Sequence, residues 1–288
     1  MMMDAVSTFL KNLAQKPWGL WWIQARRLIR IEVRRNLFSW KAGWVYFLAF
    51  VPTFIMLIHF VFESHDASFR SDDTNVLAGV IQLYYIRLGV FFGCLGIFSR
   101  LIRGEMIERS LHFYLLSPVP RELLLLCKFV AGSFSAVLLF GSATVADFAL
   151  IYAGFGAAGK DYVFNGPGLG QLEAYLAIIV LACLGYGAIF LLFSMIFRNP
   201  TPAAMILLGW EAINPVLPAL LQKLSVASYL RHLMPVSVSA QGIFALLTVE
   251  TEPVSAWAAT LGLLALIAVV LFYSCYRIRT LEIRYTSE

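Results

Sequence analysis

The chain has 288 residues, 60% of them hydrophobic and 14% charged, with a mean hydropathy of +0.78 and a formal charge of +5. Soluble domains carry roughly 45–50% apolar and about 25% charged residues, so water is not the main solvent of this chain. Its positive charge is spread along the sequence and makes no basic domain, which argues against nucleic-acid binding.

Residues 1–42 form a first region with no span. Met1 to Lys16 hold Asp4, Lys11 and Lys16 and no compact apolar stretch before a cleavage site, so this start does not read as a cleaved signal. Residues 17–41 (PWGLWWIQARRLIRIEVRRNLFSWK) are helix-length but too charged to cross a bilayer. At about 100° per residue, Trp22, Ala25, Ile29, Val33 and Leu37 line one stripe, and Arg27, Arg30 and Arg34 group on another face. That pattern suits an interfacial helix, with Trp22 in the acyl boundary and the arginines toward anionic headgroups of membrane lipids. The other reading is a short helix packed on neighbouring parts of the protein.

Six apolar segments follow within residues 43–277, at 43–62, 76–98, 123–155, 174–197, 202–221 and 257–276. Crossing about 30 Å of hydrocarbon takes roughly 20 helical residues, and backbone in lipid must bond internally, so the segments predict helices and not alternating barrel strands. The expected fold is therefore an all-α integral membrane bundle of six transmembrane helices, with a tail at 278–288. The second span carries Arg87, the third Asp147 and the fifth Glu211. A charge at the bilayer centre costs about 2.5–3.5 kcal/mol on insertion scales, so each is expected to face protein or water. Arg87 and Asp147 lie at similar depths on antiparallel neighbours and are expected to pair, either as a substrate-contacting pair or a latch, or as a fixed ion pair setting helix register. Glu211, in Gly209-Trp210-Glu211-Ala212-Ile213-Asn214-Pro215, either lines a cavity or bonds to Trp210 or to a carbonyl freed near the prolines.

The outer connections differ from one another. Residues 63–75 and 156–173 read as simple connectors. The stretch Gly154 to Asp161 has the glycine spacing and lysine of a phosphate loop but ends in Asp where a hydroxyl is needed, with no strand before it, and is a chance match. Residues 222–256 hold two half-apolar pieces, Leu224 to Leu233 and Val236 to Leu247, expected as short helices dipping into or lying on the membrane.

Basic residues fix the orientation. Seventeen Lys and Arg flank the spans on one side, from Lys11 to Lys41, from Arg100 to Lys128, at Arg198 and from Arg277 to Arg284, against four (Arg70, Lys160, Lys223, Arg231) on the other. Both termini are thus expected in the cytoplasm. Cys94, Cys127, Cys183 and Cys275 all fall in or at the ends of apolar segments and read as packing residues; His59, His65, His112 and His232 have no metal-site spacing.

The loop at 99–122 carries the strongest signal: SRLIRGEMIERSLHFYLLSPVPRE, with Glu105, Glu108 and Arg109 at its start, an apolar run through Leu111, Leu115 and Leu116, and then Ser117-Pro118-Val119-Pro120-Arg121. This is a short amphipathic helix ended by proline. Glu105, Glu108, Leu115, Leu116, Ser117, Pro118 and Arg121, with Lys128 opening the next span, resemble the coupling-helix loop of permease subunits of ATP-binding-cassette exporters of the type-2 class, also called type V. Arg109-Ser110 departs from the Gly-Thr of many members. The interfacial helix, six spans and outer half-helices resemble that family too.

The resemblance implies that this loop, including Arg109 and Leu111, seats in a groove of a separate ATP-binding subunit. It further implies that a second permease copy completes a two-plus-two assembly, with the permease as a homodimer, in a bacterial inner membrane. No cofactor or metal is then expected on this chain, and ATP and Mg belong to the partner. The rival readings are an integral membrane enzyme using Asp147 and Glu211 on lipids, and a non-catalytic scaffold or channel subunit.

Overall fold

The computed structural model describes residues 18–62, 71–107, 119–214, 217–236 and 255–280, which are helices and turns with no strand among the described residues. Helix α1 spans Trp18–Phe38 and, after a 3-10 turn at Trp40–Ala42, gives way to α2, Gly43–Phe62. The two axes turn by 64°. Helix α3, Thr74–Ile107, is continuous and passes through two π-helical stretches, Val80–Gly89 and Arg100–Gly104. Then come α4 (Arg121–Ala153), α5 (Gly156–Phe164), α6 (Gly168–Ile196), α7 (Pro200–Ile213), the short α8 (Ala219–Gln222) and α9 (Val226–His232), and finally α10 (Ala256–Arg279).

Helices α3, α4, α6 and α10 are each long and apolar enough to cross a bilayer, and the pair α1–α2 makes a fifth only if the two bent helices are counted as one span. The chain is therefore an all-α, multi-pass membrane protein. The expected span at 202–221 is not a single helix. It stops at Ile213 after 14 residues, a length of about 21 Å against the roughly 30 Å of hydrocarbon. Pro218 has no N–H to donate into a helical ladder and stands at the start of α8. Six full spans are thus not reached among the described residues. The start of α7 is sharply set, with the Asn199 side chain accepting from the Thr201 N–H at 3.2 Å and Pro200 as the first helical residue.

Helices α3, α4 and α6 form the centre, with α1 and α2 laid on α4 and α10 on α6 and α4. Lipid tails are as apolar as the side chains, so such contacts depend on close fit, and small residues let the helices approach. The ring of Phe98 on α3 fills a notch between two of them. A Cβ at Gly187 on α6 would lie 2.5 Å from that ring, and one at Gly132 on α4 would lie 2.8 Å from it. Cys94, Cys183 and Cys127 are buried in the same packing, and Cys94 and Cys183 belong to the core cluster.

The connection 156–173, expected as a plain loop, is largely helix. Gly156 adopts φ +54, which turns the chain out of α4, and Tyr152 then stacks on Tyr162 of α5 with centroids 5.1 Å apart. A Cβ at Gly159 would meet the Tyr152 carbonyl oxygen at 2.2 Å, so the glycines of the phosphate-loop look-alike serve a helical corner. Of the two expected outer pieces at 222–256, the first appears as α9; residues 237–254 lie outside the described residues.

The notch yields a direct expectation. Gly187→Val forces the Phe98 ring out of its seat and should lower stability by about 1–3 kcal/mol, read as a fall in the thermal unfolding midpoint in detergent. Gly170→Val, at a position with open space, should leave it unchanged.

Candidate functional site

In α1 the only acidic residue is Glu32, set among arginines. Ala25 and Glu32 lie seven residues apart, two helical turns, and so share a face. That face is the one buried against α4. The expected apolar stripe is only partly the packing stripe: Leu37 meets the core, but Trp22 is exposed. Arg27, Arg30 and Arg34 are exposed on the other side, beside exposed Ile23 and Ile31. Helix α1 thus docks on α4 through one side and presents a mixed basic and apolar surface on the other.

Docking puts Glu32 into a buried ion cluster at the root of the 99–122 loop. Lys128 Nζ, on the second turn of α4, lies 2.5 Å from Glu32 Oε1 and 2.7 Å from Glu105 Oε1. Arg35 closes the ring, 2.8 Å from Glu32 Oε2 and 2.8 Å from Glu105 Oε1. Exposure is 0% for Glu32, 1% for Glu105 and 1% for Lys128, with Arg35 at 35% forming the lid. Two carboxylates and two cations balance, which is the condition under which buried charge is tolerated. The cluster joins three helices: α1, the end of α3 and the start of α4.

The rest of that end is held more loosely. Arg100 Nη2 donates to Ser39 Oγ at 3.1 Å, tying α3 to the turn between α1 and α2. Arg279 Nε lies 2.5 Å from Glu122 Oε1, and Arg121 Nη1 donates to the Arg279 carbonyl oxygen at 3.2 Å, joining the end of α10 to the start of α4. The two contacts of Arg279 are exposed and individually worth little.

Of the residues expected to couple to a partner, Glu105 faces inward, to Lys128 and Arg35, and Arg121 is at the surface. Glu108, Arg109, Leu111, Leu115, Leu116, Ser117 and Pro118 lie outside the described residues. The described flanks of the loop, Ile107 and Val119, therefore leave from a point pinned by four charges. Sequence reading had singled out Glu105 and Lys128 but not Glu32 or Arg35. The available signal was one acid placed on the packing side of an otherwise basic and apolar helix.

The intramembrane charges are arranged differently from expectation. Arg87 does not pair with Asp147. Asp147 is fully buried, and its Oδ2 accepts from the Tyr85 hydroxyl at 2.7 Å, with that hydroxyl also 3.0 Å from the Ala49 carbonyl oxygen. Tyr85 and Arg87 are two residues apart, so their side chains leave opposite sides of α3, and only the Tyr85 side meets α2 and α4. Arg87 is exposed. Glu211 is buried, but bonds neither to Trp210 nor to a kink carbonyl. It accepts from the Ser225 hydroxyl, from the Val226 N–H at 3.1 Å and from the Ala227 N–H at 3.3 Å, holding the first turn of α9 against α7. Among the described residues no group of three His, Cys, Asp or Glu side chains is placed to hold a metal ion.

No protein-family model and no curated protein matches the sequence.

The cluster should respond to charge balance more than to residue loss. Lys128→Met leaves two buried carboxylates facing one cation and should cost about 3–5 kcal/mol, seen as a large drop in the unfolding midpoint in detergent. Adding Glu105→Gln restores balance and should recover most of the drop. A double variant no more stable than Lys128→Met would show that the charges act independently.

Proposed function

We propose that this chain is the permease subunit of an ATP-binding-cassette exporter of the type-2 class, with six membrane crossings and both termini in the cytoplasm of a bacterial inner membrane. Two copies pair with two ATP-binding subunits, which hold ATP and Mg and perform the hydrolysis. The loop at 99–122 is the coupling element, with Glu108, Arg109, Leu111, Leu115, Leu116, Ser117, Pro118 and Arg121 forming its contact with the partner.

The observation that carries this reading is the buried cluster of Glu32, Arg35, Glu105 and Lys128 at the root of that loop. A loop that only caps the bundle needs no buried charges, whose desolvation is costly. A loop that receives displacement from a partner needs a stiff junction with the spans, and the cluster binds its two flanking helices to each other and to α1. Within the family pattern, Glu105 and Lys128 thus act behind the contact surface, as positioning residues.

The membrane-enzyme reading is weakened by the fate of its carboxylates. Asp147 is bonded to Tyr85, and Glu211 accepts from the first turn of α9, so neither is presented to a substrate in this arrangement. Positive-inside counting supports a cytoplasmic loop, since Arg100, Arg103 and Arg121 lie beside it.

Affinity purification of the full chain from its native membrane should recover a nucleotide-binding subunit. Leu115→Asp should abolish that recovery without changing the unfolding midpoint. The charge-balanced pair Lys128→Met with Glu105→Gln should keep the partner but lose coupling between hydrolysis and transport. Ser117→Cys should react with a membrane-impermeant thiol reagent only from the cytoplasmic side; labelling from outside would overturn the proposal.

A further inference from the structure

Arg87 presents a problem that the rest of the bundle does not solve. It lies inside the α3 span, on the π-helical stretch Val80–Gly89, and is exposed, with exposed Leu83 one turn before it and Leu88 next to it. A guanidinium on an apolar surface at that depth is unfavourable unless something neutralises or hydrates it. No hydrogen bond or ion pair forms to it among the described residues.

The fold brings a second cation to the same place. Helix α9 packs against the π-helical stretch, and Arg231, in its last turn, lies within electrostatic reach of Arg87. Arg231 is half-buried and has no hydrogen bond or ion pair among the described residues either. Glu211 is near, but its carboxylate already accepts from Ser225, Val226 and Ala227. Helix α9 is held at three places. Glu211 holds its first turn, Val226 is seated against Gly185 of α6, and Tyr229 against Gly262 of α10. Arg87 and Arg231, on two elements packed against each other, outnumber the one nearby carboxylate, which α9 already engages, and this leaves net positive charge on an apolar face, the complement of an anion with an apolar body.

The geometry points to an anionic amphiphile at this face, its phosphate or other oxyanion gripped between Arg87 and Arg231 and its apolar part lying along Leu83 and Leu88. Arginine suits this role, because its planar donors match oxyanion geometry and it is more weakly hydrated than an ammonium. That the bound amphiphile is also the exported cargo rests on the permease reading; the binding itself does not.

The test uses the full chain in a neutral detergent with no ATP-binding subunit present. Native mass spectrometry titrates it with phosphatidylglycerol, with zwitterionic phosphatidylcholine and with inorganic phosphate as competitor. Arg87→Gln and Arg231→Gln should each weaken phosphatidylglycerol binding about tenfold, the scale of one charge-assisted hydrogen bond. Phosphatidylcholine binding should not change, and Lys160→Gln on α5 should have no effect. Arg87→Lys should retain part of the affinity.

Displacement by inorganic phosphate would place recognition in the oxyanion alone, and resistance to it would show that the apolar part is also required; both support the site. Unchanged phosphatidylglycerol binding in both Gln variants would overturn it, as would equal loss of both lipids. So would dissociation of a dimer with lipid binding intact, which would assign Arg87 to a second copy. Failure to recover a nucleotide-binding subunit removes the permease reading and leaves this binding result standing, whereas loss of the site leaves the coupling loop untouched.

Discussion

Lys128 is a positive charge placed in the second turn of an apolar helix, with 1% of its side chain exposed. An isolated ammonium there would be driven to deprotonate or would unfold its surroundings, because the loss of hydration exceeds anything packing returns. Glu105 and Glu32 make its presence possible, and Arg35 completes the balance. Lys128 and its partners come from three helices. The position of α1 on α4, and the height at which α3 ends beside the start of α4, are therefore set by one electrostatic requirement. Few other contacts at this end of the bundle are comparably demanding, since the Glu122–Arg279 pair is exposed.

The two carboxyl groups deeper in the span accept from nearby neutral donors and do not meet a cation. Asp147 takes the Tyr85 hydroxyl, and Tyr85 also reaches the Ala49 carbonyl, so α2, α3 and α4 meet at one polar point inside an apolar core. Glu211 takes the orphan N–H groups at the start of α9, which a helix end in an apolar setting must place somewhere. In both cases the carboxyl group is a fastener between helices. Phe98 between Gly132 and Gly187 does the same by shape.

Much of this architecture was legible in the sequence because it follows from one-dimensional hydrophobic content. The segments 43–62, 123–155, 174–197 and 257–276 agree with α2, α4, α6 and α10 to within a turn or two. What depended on angle was less legible. Arg87 and Asp147 were matched by depth, but depth says nothing of azimuth, and Tyr85 two residues away occupied the facing side. The span at 202–221 was read from apolar content, which does not register that prolines end a helix whatever their neighbours. Glu32 escaped notice because a single acid in a basic helix looks like surface variation until its register with Ala25 is set against α4. The glycines of 154–159 matched a motif by spacing while serving a corner that needs φ +54 at Gly156.

Helix α3 links the two places where charge is concentrated. It carries Arg87 in its first π-helical stretch and reaches Glu105 directly after its second, Arg100–Gly104, with the helix unbroken between them. The separation is 18 residues, about 27 Å at helical rise. A π-helical turn is wider and less well bonded than an α-helical one, so these two stretches are where α3 can absorb a change of register at modest cost. Between them, Phe91 packs edge to face on Tyr186 and Phe190, and Phe98 is locked in its notch, so the middle of α3 moves with α6 or not at all. A displacement entering at Glu105 must therefore cross the second stretch, and what passes it would carry the Phe91–Phe98 segment of α3 together with α6. Helix α9 is seated on α6 through Val226 and Gly185, so Arg231 would travel with that same body. On the proposed reading, the two arginines keep their spacing as this unit shifts, and the strain falls on the contact between α9 and α7 at the carboxylate of Glu211.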